Sequence, residues 1–291
     1  NAASEVTIRK LTSSVGAVID GIDMRGALPN DTVAKVRRAL ADNGVVFFPT
    51  QDVTIEQFWD FTRHFGQPLK DEATGTDKDV AQEVRSADLS PSRHATAVWH
   101  ADTTSLATPP WGSVLRAVTI PDVGGDTCWS SMYAAWDALS PPMQRMLDGL
   151  TAVHSVQPTL DRMQHYAQFY EPVYRSLHAD EQVHPVVLTH PESGRKALYI
   201  NESFTTRIVE LDRLESQAVL AMLFRHVERP DFAVRWKWTP GDVAFWDNRA
   251  VQHYAVPDYE TTRVMQRIVL RGVRPGDDAP VPVAGPAVAA A

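Results

Sequence analysis

Phe232-Ala233-Val234-Arg235-Trp236-Lys237-Trp238-Thr239-Pro240-Gly241-Asp242-Val243-Ala244-Phe245-Trp246 is the stretch that decides the fold class. Phe232–Trp238 is an aromatic and β-branched run, Pro240-Gly241 breaks it, and Val243–Trp246 resumes it, which reads as two strands around a turn. Val264–Gly272 is a third run of this kind. Working outward, Val6–Leu11 and Ala17–Met24 alternate apolar and polar residues as half-buried strands do. Gly44-Val45-Val46-Phe47-Phe48-Pro49 reads as a short buried strand with a proline stop, and Gly112–Ile120 and Thr127–Ser130 continue the strand pattern. Val183–Thr189 and Ala197–Asn201, across Pro191-Glu192-Ser193-Gly194, predict a hairpin.

The helical signals gather between these groups. Asn30 or Asp31 is expected to cap a helix presenting Val33, Val36 and Leu40 on one face. Further helices are expected at about Ile55–His64, Ser131–Leu139, from Ser140-Pro141-Pro142 to Leu150, and Leu211–Val227. Helices that do not alternate with every strand argue against a doubly wound sheet. They predict a mainly β protein with flanking helices, a sandwich or barrel. Val156–Arg175 is aromatic and polar and gives no clear assignment. Residues 1–275 are expected to form one domain, and Gly276–Ala291, rich in Pro, Ala and Val, a flexible tail. The segment at about 67–97 is rich in Asp, Thr, Ser and Lys, and so long a connection predicts a lid or binding loop.

The 291 residues carry a formal net charge of −8 with no cluster of Lys and Arg, which argues against a nucleic-acid polymer as partner and for a small molecule. No apolar run has the length of a membrane span, and Asn1–Lys10 lacks the order of a secretory signal. The single Cys128 excludes an intramolecular disulfide and fits a reducing, cytoplasmic setting.

Chemistry enters with Trp99-His100-Ala101-Asp102 and, about 150 residues later, Trp246-Asp247-Asn248 followed by His253. On an extended segment the side chains of His100 and Asp102 point the same way, so an imidazole and a carboxylate can grip one ion. A closed barrel would bring His253 opposite. Two histidines and a carboxylate leave positions open on ferrous iron for a chelating cosubstrate and O2. His154, His184, His190 and His226 read as structural, and Asp247 as a turn-stabilising or supporting carboxylate. Arg263 and Arg267 share one face if their segment is a strand. Each then pairs with a protein carboxylate or captures a ligand carboxylate, because a lone buried guanidinium is costly.

From about Ile8 to Arg274 the chain resembles the taurine/α-ketoglutarate dioxygenase family, the TauD/TfdA-like Fe(II)- and 2-oxoglutarate-dependent oxygenases. The resemblance rests on Trp99–Asp102, Gly124-Gly125-Asp126-Thr127-Cys128-Trp129 and Asn201-Glu202-Ser203-Phe204-Thr205-Thr206-Arg207. It rests also on Trp246-Asp247-Asn248-Arg249 with Gln252-His253, and on Arg263-Val264-Met265-Gln266-Arg267. It implies a double-stranded β-helix, the cupin-like jelly roll, with iron on His100, Asp102 and His253. It further implies that Thr127 and Arg263 bind the distal carboxylate of 2-oxoglutarate, that Arg267 contacts an anionic substrate group, and that Phe204 lines the substrate pocket. The implied reaction consumes 2-oxoglutarate and O2, gives succinate and CO2, and hydroxylates an unactivated C–H bond. The product loses a C–X bond if the carbon bears a heteroatom. Asp102 favours hydroxylation over halogenation, since related halogenases lack this carboxylate. The family also implies a dimer or tetramer.

The pocket departs from the taurine pattern at three places. Asp71 falls near a histidine that helps hold sulfonate or sulfate, Thr96 or a neighbour replaces an asparagine, and Leu160 stands where an aromatic is usual. Together they disfavour taurine and predict an anionic substrate with a larger or differently charged remainder. Two other readings of the same triad are a zinc-type metal hydrolase, which has no use for the Thr127–Arg263 pair, and a non-catalytic 2-oxoglutarate or metal sensor.

Overall fold

The computed structural model describes residues 5–69, 81–85, 97–162 and 181–277. Asp71, Thr96, residues 278–291 of the tail and most of the 67–97 segment lie outside the described residues.

Seven strands make the larger sheet, in the spatial order β1 (Thr7–Lys10), β2 (Ala17–Asp20), β3 (Val45–Phe48), β13 (Val243–Asp247), β5 (Gly112–Thr119), β15 (Arg263–Leu270), β4 (Ala81–Arg85). A three-stranded sheet packs against it: β12 (Ala233–Trp236), β6 (Thr127–Ser131) and β14 (Val251–Ala255). Two smaller sheets are β11 (Thr205–Ile208), β7 (Thr151–His154) and β8 (Gln182–Pro185), and the pair β9 (Val187–Thr189) and β10 (Lys196–Leu198). This is a jelly-roll core with helices outside it.

Both faces of the larger sheet are covered, which is why β3 and β13 read as unbroken apolar runs instead of alternating ones. Side chains still divide by the period of two. Val45, Phe47, Ala244, Trp246, Leu115 and Met265 turn inward against Trp129, Val234, Trp238 and Val251 of the facing sheet and the loop after it. Inside, Phe47 stacks on Trp236 at 4.2 Å between ring centroids and meets Trp129 edge-on at 5.2 Å. Val46, Phe48, Val114, Val243, Phe245 and Ile268 turn outward against Val36, Leu40, Phe58 and Phe61 of α1 (Asn30–Asn43) and α2 (Ile55–Arg63). A second outer layer packs α3 (Met132–Asp137), α4 (Pro141–Leu147) and α6 (Arg213–Val227) on β9–β10 and β11. The short α5 (Gln157–Arg162) carries Leu160.

Local chemistry sets the helix ends. Thr54 and Gln57 cap α2 reciprocally, side chain to backbone in both directions, and Asp212 and Glu215 do the same for α6. The expected cap of α1 is corrected. Pro29 holds the N-cap position without a side-chain bond, and Asn30 and Asp31 lie in the first turn, where the Asp31 charge meets the helix dipole instead. The hairpin reading of Val183–Thr189 is corrected in part. The run divides at Val186, with Gln182–Pro185 joining β7 and only Val187–Thr189 pairing with Lys196–Leu198. Within the 67–97 segment, Ala81–Arg85 pairs antiparallel with β15, so the stretch is not wholly without regular structure. The unassigned Val156–Arg175 contributes α5 at its start.

Candidate metal centre

His100 and His253 face each other in a single antiparallel bridge. Each donates its backbone N–H to the other's carbonyl, at 3.1 and 2.8 Å. His253 is the central residue of β14, so this bridge fixes one histidine directly against the other, with ring centroids 4.1 Å apart. Only His100 of the His-Ala-Asp segment pairs as a strand does. The chain turns immediately after it, and Thr103 adopts a left-handed φ of 41°. The simple strand-end picture is therefore replaced by a bridge followed by a tight turn, an uncommon conformation for a β-branched residue.

One donor atom from each of His100, Asp102 and His253 lies within 4.8 Å of the others. Asp102 Oδ1 is 3.6 Å from His253 Nε2. His100 Nδ1 donates to the Val98 carbonyl at 2.7 Å, which leaves the lone pair on Nε2, the tautomer a metal ligand needs. Asp102 is buried at 5 % exposure, and its other oxygen, Oδ2, accepts from Ser113 Oγ at 2.7 Å and from Asn248 Nδ2 at 3.3 Å. Burial pushes this carboxyl up, but the charges of His253, Arg267 and His100 and the Ser113 hydrogen bond outweigh it, leaving Asp102 well below the usual carboxylate range. An ionised carboxylate with two imidazoles is the donor set of non-haem ferrous iron, and these residues fit it.

Asn248 belongs to a turn that is itself pinned. Asp247 accepts from Arg249 Nε at 2.9 Å, from Arg249 Nη2 at 2.6 Å and from His190 Nε2 at 2.9 Å. Asp247 is thus engaged away from the triad, as its supporting reading anticipated. Asn248 Oδ1 also accepts from the Asp102 backbone N–H and from Trp246 Nε1. The sequence reading gave no role to Asn248 or Ser113; Asn248 stands within the noticed Trp246-Asp247-Asn248 motif, whereas Ser113 carried no local signal. His154, His184 and His226 are held by Thr104, by the Thr104 and Leu106 carbonyls, and by the Ala135 carbonyl respectively.

Thr127 opens β6 and Arg263 opens β15, so the two reach toward each other across the interior. Arg263 Nη2 donates to Thr127 Oγ1 at 3.3 Å, and its Nε donates to the Gly125 carbonyl at 3.0 Å. Gly125 has a φ of 73°, a left-handed conformation that favours glycine, and a Cβ there would press on Arg263 Cδ at 3.2 Å. Arg267, four residues on and on the same strand face, donates from Nη1 to Asp102 Oδ1 at 3.0 Å. Phe204 is buried with Val156 and Leu160 in a small apolar cluster. Asn201 ties that cluster to the metal turn: its Oδ1 accepts from the Phe204 N–H at 3.0 Å, and its Nδ2 donates to Thr104 Oγ1 at 3.0 Å. Of the predicted pocket positions, Asp71 and Thr96 lie outside the described residues.

Residues 7–269 match the family model described as taurine catabolism dioxygenase TauD, TfdA family. The chain is 35 % identical over 282 residues to an alkylsulfatase of Acinetobacter baylyi, covering 94 % of this chain and 87 % of that protein. It is 35 % identical over 285 residues to an α-ketoglutarate-dependent sulfate ester dioxygenase of Pseudomonas putida, covering 94 % and 92 %. The solved structure of a taurine dioxygenase from Burkholderia xenovorans superposes with a TM-score of 0.76 at 36 % identity, covering 92 % of this chain and 91 % of that one. The chain therefore belongs to the TauD/TfdA family and is an Fe(II)- and 2-oxoglutarate-dependent dioxygenase.

Proposed function

We infer that His100, Asp102 and His253 hold the iron, that Thr127 and Arg263 receive the distal carboxylate of 2-oxoglutarate, and that Arg267 receives the anionic group of the substrate. The observation that carries this reading is the convergence of His100, Asp102 and His253 donor atoms within 4.8 Å, with both arginines of β15 directed into the same interior. When bound, ferrous iron couples oxidative decarboxylation of 2-oxoglutarate to cleavage of a substrate C–H bond.

The chain's own residues orient and shelter. Asp102 supplies the one negative charge among the ligands, and Ser113 and Asn248 keep one of its oxygens occupied so that the other faces the histidines. Trp246, its ring 4.8 Å from that of His253, walls the site on one side. Arg263 and Thr127 provide a charge-assisted clamp for a carboxylate.

The substrate is an organic anion, with alkyl sulfate esters and aryloxyalkanoates ahead of taurine. The apolar Val156–Leu160–Phe204 cluster suits an alkyl or aryl chain, whereas the ammonium end of taurine would need a polar partner. The relatives named for sulfate esters point the same way. Hydroxylation at the oxygen-bearing carbon of an alkyl sulfate would then release sulfate and an aldehyde, and of an aryloxyalkanoate a phenol and a 2-oxo acid. Succinate release with a panel of alkyl sulfates, aryloxyalkanoates and taurine tests this, and efficient turnover of taurine would overturn it. Residues 1–275 are taken as one oxygenase domain, in a cytoplasmic dimer or tetramer whose size light scattering would report.

A further inference from the structure

Thr127 Oγ1 accepts two hydrogen bonds inside the barrel. One comes from Arg263 Nη2 at 3.3 Å and the other from the indole Nε1 of Trp238 at 3.0 Å. A threonine hydroxyl has two lone pairs and one proton. With both lone pairs engaged, the proton is the group's remaining polar valence, so the hydroxyl can act only as a donor toward a third partner. Without the indole, the hydroxyl could rotate to serve as an acceptor or to bond elsewhere, and a carboxylate can use only the donor state.

Trp238 is itself fixed. It is 3 % exposed and packs edge-on to Trp129 at 6.1 Å between ring centroids, within the core between the two main sheets. It follows β12, which pairs Trp236 with Thr127, so the strand register delivers the indole to the hydroxyl. The indole N–H is a donor only, which is why it can impose a direction on the hydroxyl that an amide or another hydroxyl could not.

We propose that Trp238 is a positioning residue for the cosubstrate: its indole N–H holds the Thr127 hydroxyl as an obligate donor to the distal carboxylate of a five-carbon 2-oxo diacid. This rests on the reading that Thr127 and Arg263 receive that carboxylate. Trp238 acts through Thr127, so its contribution vanishes when the hydroxyl is absent.

The test is an anaerobic binding titration of the Fe(II) protein, followed by visible absorption, for wild type, Trp238→Phe, Thr127→Val and the double variant. Each is titrated with 2-oxoglutarate and with 2-oxobutanoate, which lacks the distal carboxylate. Thr127→Val weakens 2-oxoglutarate by about ten-fold, the scale of one hydrogen bond to a charged group, and Trp238→Phe by about three- to ten-fold. The double variant matches Thr127→Val alone, and 2-oxobutanoate binding does not change. Full additivity, an effect of Trp238→Phe on both acids alike, or no effect of Trp238→Phe while Thr127→Val weakens binding, would each overturn the proposal and leave the carboxylate site standing. No effect of Thr127→Val would overturn the carboxylate site itself. If Trp238→Phe fails to fold, the indole 15N–1H resonance of Trp238 in the Zn(II) protein replaces it. That resonance must move on adding 2-oxoglutarate and in Thr127→Val, and a fixed resonance contradicts the proposal.

Discussion

Arg267 Nη1 donates to Asp102 Oδ1 across 3.0 Å, and the same oxygen lies 3.6 Å from His253 Nε2. One carboxylate oxygen therefore serves a guanidinium and faces the point where the three donor atoms converge. A divalent cation held by the triad would compete with Arg267 for Oδ1, which would free the guanidinium to meet an anion. Arg267→Met is expected to destabilise the metal-free protein by about 1–3 kcal/mol, because a buried carboxylate loses one of its charged partners. Mn(II) should recover most of that loss, whereas wild type gains less from the metal. Thermal melts with and without Mn(II) measure the difference.

Ser113 is the shortest contact to the other Asp102 oxygen, at 2.7 Å, and is fully buried. Residues that orient a metal ligand in this way typically change affinity by about 10- to 100-fold when removed. Ser113→Ala should fall in that range for Fe(II), measured by competition with a chromophoric chelator, and Asn248→Ala should do likewise. Unchanged affinity in both would mean the carboxylate needs no help to point inward.

His154 is buried with no exposure, and that burial, reinforced by neighbouring His184, pushes its pKa down to about 3. His184 is shifted the same way by burial. The folded state thus keeps His154 neutral while the unfolded chain protonates it near its ordinary value of 6.5. Stability is unaffected by this group above pH 6.5 and is lost as pH falls from 6.5 toward 3, by at most about 1.4 kcal/mol per pH unit per proton. Urea unfolding at several pH values should show that slope, and His154→Gln should flatten it.

Gly125→Ala places a methyl 3.2 Å from Arg263 Cδ at a left-handed φ of 73°. The backbone term alone is expected to cost about 1–2 kcal/mol of stability, and the displaced guanidinium to weaken 2-oxoglutarate binding by about ten-fold. Calorimetric titration against 2-oxoglutarate reads the second effect separately from the first.

How much of this was legible follows from the distance over which each signal acts. The β13 run Val243–Trp246 and the Pro240-Gly241 break were visible because strand period and turn chemistry are local. His100, Asp102 and His253 were visible because the residue types of a ferrous site are few and two of them stand two apart. The strands β7, β11 and β14 were not read. Thr151–His154, Thr205–Ile208 and Val251–Ala255 are short and polar at several positions, and it is tertiary pairing that makes them strands. Ser113, Asn248 and Trp238 act on residues from 11 to 146 positions away, so no spacing rule could have found them. Val183–Thr189 looked like one strand because composition does not reveal that Val186 is where the chain leaves one sheet for another. The zinc-hydrolase and sensor readings were open from the residues alone; the family match to a dioxygenase over residues 7–269 decides for the oxygenase.

The most direct test of the central claim is the visible absorption spectrum of the anaerobic Fe(II) protein before and after 2-oxoglutarate. A metal-to-ligand charge-transfer band should grow on addition, and it should be absent in His100→Ala and Asp102→Ala proteins that remain folded by circular dichroism. A folded, iron-loaded wild type with no such band, or a band that persists unchanged in both variants, would contradict the placement of iron on His100, Asp102 and His253.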